Sequence, residues 1–327
     1  MNILGLQGSP RKKGNTDYLL SLFLDEAERL GAATEKIYVS GLKLSPCLGC
    51  IHCEKKGRCA LQDNNMTRQM YPKIRQADLI VIASPVYFYA MTGQLKLLID
   101  RCQMFWSRKY RFDVHDPGSA TKKGLMLSVA ASGGRELFKG IELCVDYFLD
   151  AIGASSAGAL TYRGIEHAGD MAAHPSAPLD VRKKVGELMA PWLTKKRVLF
   201  VDRDHGARSR MAEAFARFHL SESVDAAGCG TAPAITDDTD LERAMAEKKL
   251  DVAYHHPSSL QDALGVRPPD LVILMGQDVV LPSDITPPSS TRIWDLPDPS
   301  HMDTSQLVDL RNTIEEKVNL LGKSDIS

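Results

Sequence analysis

The chain is nearly without net charge. Its 327 residues set 40 Lys and Arg against 41 Asp and Glu, a formal −1 at pH 7. That balance gives no bulk electrostatic pull toward nucleic acid or an anionic membrane surface. No apolar run approaches the length that a membrane-spanning helix needs. The opening MNILGLQGSPRKKGNT places its basic residues after a short apolar run, the reverse of a secretory leader. Cysteine is scarce and odd in number, at 7, which argues against a disulfide framework. A reducing cytoplasm is therefore the expected compartment, with neither nucleic-acid nor membrane partners.

What is present is an α/β rhythm long enough for two ordinary domains. Apolar runs at 2–7, 34–39, 78–84, 124–132 and 156–162 read as strands. Helical periods at 15–30, 66–76, 92–104, 135–151 and 178–193 separate or follow them. Strands rich in Val, Ile and Leu without strict alternation suit a parallel sheet covered on both faces. The predicted fold is α/β, a doubly wound sheet of flavodoxin type whose ligand lies beyond the carboxyl ends of its strands. The rhythm restarts near residue 195: strands at 197–202, 223–228 and 271–275, helices at 209–220, 239–249 and 305–321, and a Pro- and Ser-rich loop at 281–290. Two domains are expected, 1–194 and 195–327, the second a smaller α/β unit.

After the first strand comes GSPRKKGNT. A glycine- and hydroxyl-rich turn leading into a helix is an anion cradle, because helix-start N–H groups and the helix dipole both favour negative charge. Ser9, Asn15 and Thr16 add donors and Arg11 adds charge; a plain polar turn with Asn15 as a helix cap is the alternative. After the third strand, SPVYFYAMTGQLKLLIDR supplies a proline turn, aromatic rings and another helix at the same sheet edge. The pattern GSPR-x-x-GNT with SPVYF-x6-LK-x-x-IDR resembles the NAD(P)H-dependent flavin reductase family over roughly residues 1–193. The resemblance implies FMN, its phosphate held by Ser9, Arg11, Gly14, Asn15 and Thr16. It implies a flavin ring lined by Pro85, Val86, Tyr87 and Phe88, and touched by the AASGG loop through Ser132 and Gly133.

CLGCIHCEKKGRC places Cys47, Cys50, Cys53 and Cys59 within thirteen residues. Thiolates at i, i+3 and i+6 curl a backbone around one centre, and Gly49 and Gly57 allow its close approach to sulfur. Structural zinc more often takes two close pairs split by a longer spacer, while C-x2-C-x2-C runs hold iron–sulfur clusters. Zinc and redox-labile free thiols remain alternatives, and His52 reads as a supporting or solvent group. In this context the motif resembles the iron–sulfur flavoprotein branch of the same family, which implies a 4Fe–4S cluster near FMN. Cys102, Cys144 and Cys229 stand alone and are expected to pack as small apolar residues.

The second half opens with RVLFVDRDHGARSRMAEAFARF. With AAGCGTAP, DLVILM and LPDP it resembles the low-molecular-weight tyrosine phosphatase and arsenate reductase family over about 196–325. Arg208 and Ser209 fall on that family's anion-binding positions and Asp298 on its general acid, but Asp202 stands where the nucleophilic cysteine belongs. Gly276 replaces a further redox cysteine. A carboxylate there is expected to pair with Arg208 and repel an oxyanion, leaving an inactive pseudophosphatase. A DxD loop of the haloacid-dehalogenase kind is the alternative reading.

The sum is an FMN-dependent oxidoreductase coupling two-electron and one-electron carriers. Its expected partners are NAD(P)H or a ferredoxin-like protein, and the resemblance implies a homodimer or higher homo-oligomer. A cluster-free NAD(P)H-dependent FMN or quinone reductase competes, as does a redox or anion sensor built on the second domain.

Overall fold

The computed structural model describes residues 1–235, 238–282 and 290–324. Most of the loop expected at 281–290 lies outside the described residues. The chain forms two compact units, Met1–Asp113 with Thr121–Pro191, and Val114–Ala120 with Trp192–Ser327.

The first unit runs β1 (Asn2–Gln7), α1 (Asn15–Arg29), β2 (Ala33–Tyr38), α2 (His52–Lys56), α3 (Tyr71–Gln76), β3 (Leu79–Pro85), α4 (Gly93–Arg101), α5 (Gln103–Arg111), β4 (Lys123–Ala130), α6 (Lys139–Ala151) and β5 (Ser155–Arg163), and α7 (Ala177–Leu193) leads out of it. All strand pairs are parallel, in the order β2-β1-β3-β4-β5. This is the flavodoxin-type order, in which β1 and β3 flank the point where winding reverses. Burial follows position: β3 is buried along nearly its whole length, while the edge strands β2 and β5 are mostly half-exposed or exposed. That is why β3 reads as an unbroken apolar run and β5 does not. Helix α1 buries Leu19, Leu20, Phe23, Leu24 and Ala27 on one stripe, with Asp17 in its first turn and Arg29 in its last, complementing its dipole.

Two expected helices differ in detail. The one at 66–76 begins as a π-helical stretch, Asn64–Met70, before α3. The one at 92–104 is broken at Cys102 into α4 and α5, the second continuing to Arg111.

The second unit runs β6 (Lys196–Asp202), α8 (Ala207–His219), β7 (Val224–Gly230), α9 (Thr239–Ala246), α10 (Leu260–Val266), β8 (Leu271–Leu274), β9 (Thr291–Ile293) and α11 (Thr304–Ser324). Its strands are parallel in the order β7-β6-β8-β9. Phe200 and Ile273 from the sheet meet Phe215 of α8, Met245 of α9 and Ile314 of α11 in one buried cluster. The short elements α10 and β9 are absent from the sequence reading, being too brief to show a period. Residues 114–120 also join this unit: His115 donates its N–H to the Lys249 carbonyl at 2.9 Å and accepts from the Asp251 N–H at 2.8 Å.

Candidate functional site

In a parallel sheet every strand ends at the same edge, so Gln7, Pro85 and Ala130 deliver the three following loops side by side. Buried hydroxyls stitch those loops together. Thr92 Oγ1 donates to the Gly8 carbonyl at 2.6 Å, Ser84 Oγ accepts from the Thr92 N–H at 3.2 Å, and Ser128 Oγ donates to the Ser84 carbonyl at 2.7 Å. All three side chains are fully buried, so each lost partner would leave an unsatisfied group costing roughly 1–3 kcal/mol.

Around the first loop, Ser9 is buried and its Oγ accepts from the Arg11 N–H at 3.2 Å. Arg11 is exposed, Thr16 is buried, and Gly14 sits at the start of α1 with no side-chain cap. The Asn15 side chain contacts a distant segment. Its amide donates to the His167 carbonyl at 2.8 Å and its Oδ1 accepts from the Met171 N–H at 3.2 Å, so the side chain braces the 167–171 segment. Asp17, overlooked in the sequence, supports the loop from below. It accepts from the Lys13 N–H at 2.8 Å, Lys36 Nζ at 3.0 Å and Tyr38 OH at 3.0 Å. Burial pushes its carboxyl up, but these hydrogen bonds win and hold it below the ordinary range. Lys13 itself takes a left-handed φ of 57°.

The second loop carries Pro85 and Val86 half-buried and then Tyr87, Phe88 and Tyr89 exposed, Phe88 completely. Tyr87 and Ala90 exchange both backbone hydrogen bonds, at 2.8 and 2.9 Å, around Phe88 at φ 49° and Tyr89 at φ 62°. Two successive left-handed aromatic residues in a tight turn are costly, on the order of 1–2 kcal/mol each. Ser132 and Gly133 are exposed on the third loop, where Arg163 Nη1 donates to the carbonyls of Gly133 at 3.2 Å and Gly134 at 2.9 Å. The predicted residues thus share one sheet edge. Basic and hydroxylic groups lie on the first loop and planar apolar rings on the second, which suits a ligand with an anionic end and a flat ring.

The chain leaves β2 at this same edge and enters the cysteine segment. Cys47 and Cys50 are exposed, Cys53 and Cys59 half-buried, and all four are thiols. The backbone bends through left-handed residues at Gly49 (φ 60°), Ile51 (φ 52°) and Gly57 (φ 65°), with α2 and the exposed His52 between the last two. Arg108 Nη1 donates to the Gly57 carbonyl at 3.1 Å. Four soft sulfur donors on a sharply bent loop are a ligand set that fits an iron–sulfur cluster. Of the isolated cysteines, Cys102 and Cys229 are buried and Cys144 is half-buried.

In the second unit Asp202 ends β6, almost fully buried. Its Oδ1 accepts from the His205 N–H at 2.7 Å and its Oδ2 from the Ser209 N–H at 3.0 Å. The cradle between β6 and α8 is therefore filled by the chain's own carboxylate. Burial raises the Asp202 carboxyl above its ordinary pKa, with the Ser209 hydrogen bonds pulling the other way. The expected Asp202–Arg208 pairing is corrected: Nη1 and Nη2 of Arg208 instead donate to Asp278 Oδ1 and Oδ2, at 2.8 Å each. The loop after β8 brings Asp278 opposite the guanidinium, while Asp202 is already satisfied by backbone amides. Gly276 fits this fork, since a Cβ there would fall 2.2 Å from Asp278 Oδ1 and 2.3 Å from Arg208 Nη1. Asp298 accepts from Ser300 N–H at 2.9 Å and Ser300 Oγ at 2.6 Å, which with Arg208 nearby holds its carboxyl low. Asp202, Arg208, Asp278 and Asp298 line one cleft of about 540 Å³, with Asp204, Asp238 and Asp240 adding further negative charge.

Beside that cleft, ligand atoms of His205, Glu213 and His255 lie within 4.8 Å of one another. The tautomer argues against a metal. His205 Nδ1 accepts from the Ser258 N–H at 2.7 Å, so its Nε2 carries the proton and faces His255 Nε2 at 3.1 Å. Burial, then the neighbouring His205, Arg210 and Arg217, hold His255 well below the ordinary 6.5. His255 packs edge-on against His205, whose φ is 57°.

A family model described as NADPH-dependent FMN reductase matches residues 1–141, and one described as low molecular weight phosphotyrosine protein phosphatase matches residues 197–324. The latter match favours the phosphatase outline over the dehalogenase-type one. An iron–sulfur flavoprotein of Methanocaldococcus jannaschii is 39% identical over 101 residues, 31% of this chain and 51% of its own. An iron–sulfur flavoprotein of Methanosarcina thermophila is 34% identical over 138 residues, 42% of this chain and 68% of its own. The chain spans about half the length of the first curated relatives it matches.

Proposed function

Through its N-terminal unit this chain belongs to the iron–sulfur flavoprotein family, and from that premise we propose that it is an FMN-dependent oxidoreductase passing electrons between FMN and a 4Fe–4S cluster. The observation that carries the reading is the common sheet edge, where the cradle after β1, the aromatic turn after β3, the loop after β4 and the four-thiol segment after β2 all emerge. Bound FMN supplies a two-electron carrier that also works singly, and the cluster a one-electron carrier. The chain's own residues bind and orient. Ser9, Arg11, Gly14, Thr16 and the first amides of α1 receive the phosphate, with Asn15 bracing the cradle through its side chain. Pro85, Val86, Tyr87 and Phe88 would line the ring, Ser132 and Gly133 would touch it from the third loop, and Cys47, Cys50, Cys53 and Cys59 would hold the iron. The electron donor is NAD(P)H or a ferredoxin-like protein, the compartment is the cytoplasm and the working form is a homo-oligomer.

The second unit is catalytically silent toward phosphate esters in this reading. The amides that would cradle an oxyanion are taken by Asp202, and Arg208 is held by Asp278. Its role is in structure or docking.

Anaerobic purification tests the whole account. The expected preparation contains FMN, iron and acid-labile sulfide, shows an EPR signal on dithionite reduction, loses iron but not FMN in Cys50→Ser, and does not turn over p-nitrophenyl phosphate. FMN without iron would leave a cluster-free reductase, and phosphatase activity abolished by Asp202→Asn would favour an aspartyl nucleophile.

A further inference from the structure

Arg101, the last residue of α4, has a completely buried side chain. Removing a guanidinium from water costs several kcal/mol, on the order the interior must recover through pairing and hydrogen bonds. Its partners are specific. Nη1 donates to the Ser45 carbonyl at 3.1 Å and Nη2 to the Leu61 carbonyl at 3.2 Å. Ser45 lies just before Cys47 and Leu61 just after Cys59, so one side chain holds both feet of the cysteine loop. Nη2 also pairs with Asp63 Oδ2 at 2.7 Å, while Asp63 Oδ1 accepts from the Met66 N–H at 2.6 Å and so anchors the turn that leaves the loop. The Arg101 carbonyl accepts from Tyr71 OH at 2.8 Å. A planar guanidinium reaches two carbonyls and pairs with a carboxylate at once, which a lysine ammonium on a flexible stem does not reproduce.

Arg101 is shielded from water, whereas its one carboxylate partner is 27% exposed, and Arg101 Nε has no hydrogen-bond partner among the described residues. Cys59 lies within electrostatic reach of both Arg101 and Tyr71. A fixed, desolvated positive charge beside Cys59 stabilises each electron added to a centre held there more than a solvated one would.

Resting on the iron–sulfur reading above, we propose that Arg101 is the positioning residue of the cysteine loop, tying its two ends and raising the reduction potential of the centre those thiols hold. Two measurements on the full chain test it. The first is EPR-monitored redox titration of the anaerobic holoprotein. The second is hydrogen exchange of the amides at 46–62 in metal-free protein. Arg101→Gln lowers the midpoint potential and strips protection from 46–62. Arg101→Lys strips protection similarly but lowers the potential less, because it keeps the charge. Asp63→Asn, which retains an oxygen to cap Met66 but removes the compensating charge, moves the potential upward. Opposite signs for Asp63→Asn and Arg101→Gln support the inference, and it fails if both variants shift the same way or if neither shifts. Should the Arg101 variants not fold, the sign of the Asp63→Asn shift decides. A wild-type preparation with FMN and no iron overturns the cluster reading instead, and unchanged exchange at 46–62 in Arg101→Lys then overturns the clamp as well.

Discussion

The loops after β1 and β6 share a plan and differ in charge. Each leaves a buried strand, bends through one non-glycine left-handed residue, Lys13 or His205, and feeds the start of a helix with a glycine at its edge. In the first, the supporting carboxylate of Asp17 stands to one side and is neutralised by Lys36, while Arg11, Lys12 and Lys13 keep the cradle basic. In the second, a carboxylate stands at the centre, and acidic residues line the cleft in front of it. The same backbone device can therefore be an anion receptor or a sealed structural turn. What decides is whether an internal carboxylate reaches the amides before a ligand does.

The sharpest way to break the comparison is to give the first loop the second loop's solution. Ser9→Asp is expected to weaken FMN binding by about 100-fold or more, since like charges at a buried contact cost several kcal/mol. Flavin fluorescence titration reads this directly, and FMN affinity within a factor of about three of wild type would mean Ser9 lies outside the phosphate site. The converse change should open the second loop. Asp202→Ser with Asp278→Ala removes the carboxylate from the amides and releases Arg208. We expect phosphate or vanadate to bind with a Kd of about 1 mM, worth ~4 kcal/mol, by calorimetry. Either single substitution leaves one half of the cradle occupied and should show no binding; equal binding by a single variant would refute the two-lock description.

The smallest effect concerns what holds the second loop in shape. His255 titrates well below 6.5 in the folded chain, so the unfolded chain takes up a proton first as pH falls. Its contribution to stability is complete above 6.5 and is lost below it, by up to about 1.4 kcal/mol per pH unit until the folded-state pKa is reached. Thermal melts of the second unit's transition at pH 8 and pH 5.5, compared between wild type and His255→Gln, measure it. A wild-type curve no steeper than the variant's would remove the histidine pair from the loop's support.

Much of this was legible in the chain because its signals are local. The apolar runs of β1, β3, β4 and β6 are buried segments whose composition states their place, and loops at strand ends announce themselves by Gly, Ser and Pro. The cysteine spacing likewise needs no fold to be read. Asn15 shows the limit: its motif position suggested a phosphate ligand, and nothing local announced that its side chain also bonds residues more than 150 positions away. Arg208 shows it again, since the nearest candidate partner along the motif, Asp202, was already satisfied by amides.

By itself the sequence determined the two α/β rhythms, the loops that carry the chemistry and the absence of a cysteine at position 202, because periodicity and residue identity are properties of short stretches. Only the tertiary structure decided that Asp278 takes Arg208, that Arg101 joins Ser45 to Leu61, and that residues 114–120 belong with the second unit. The physical reason is that a buried charge or open backbone group takes whichever partner the packed chain places within about 3 Å, and linear order does not encode that distance.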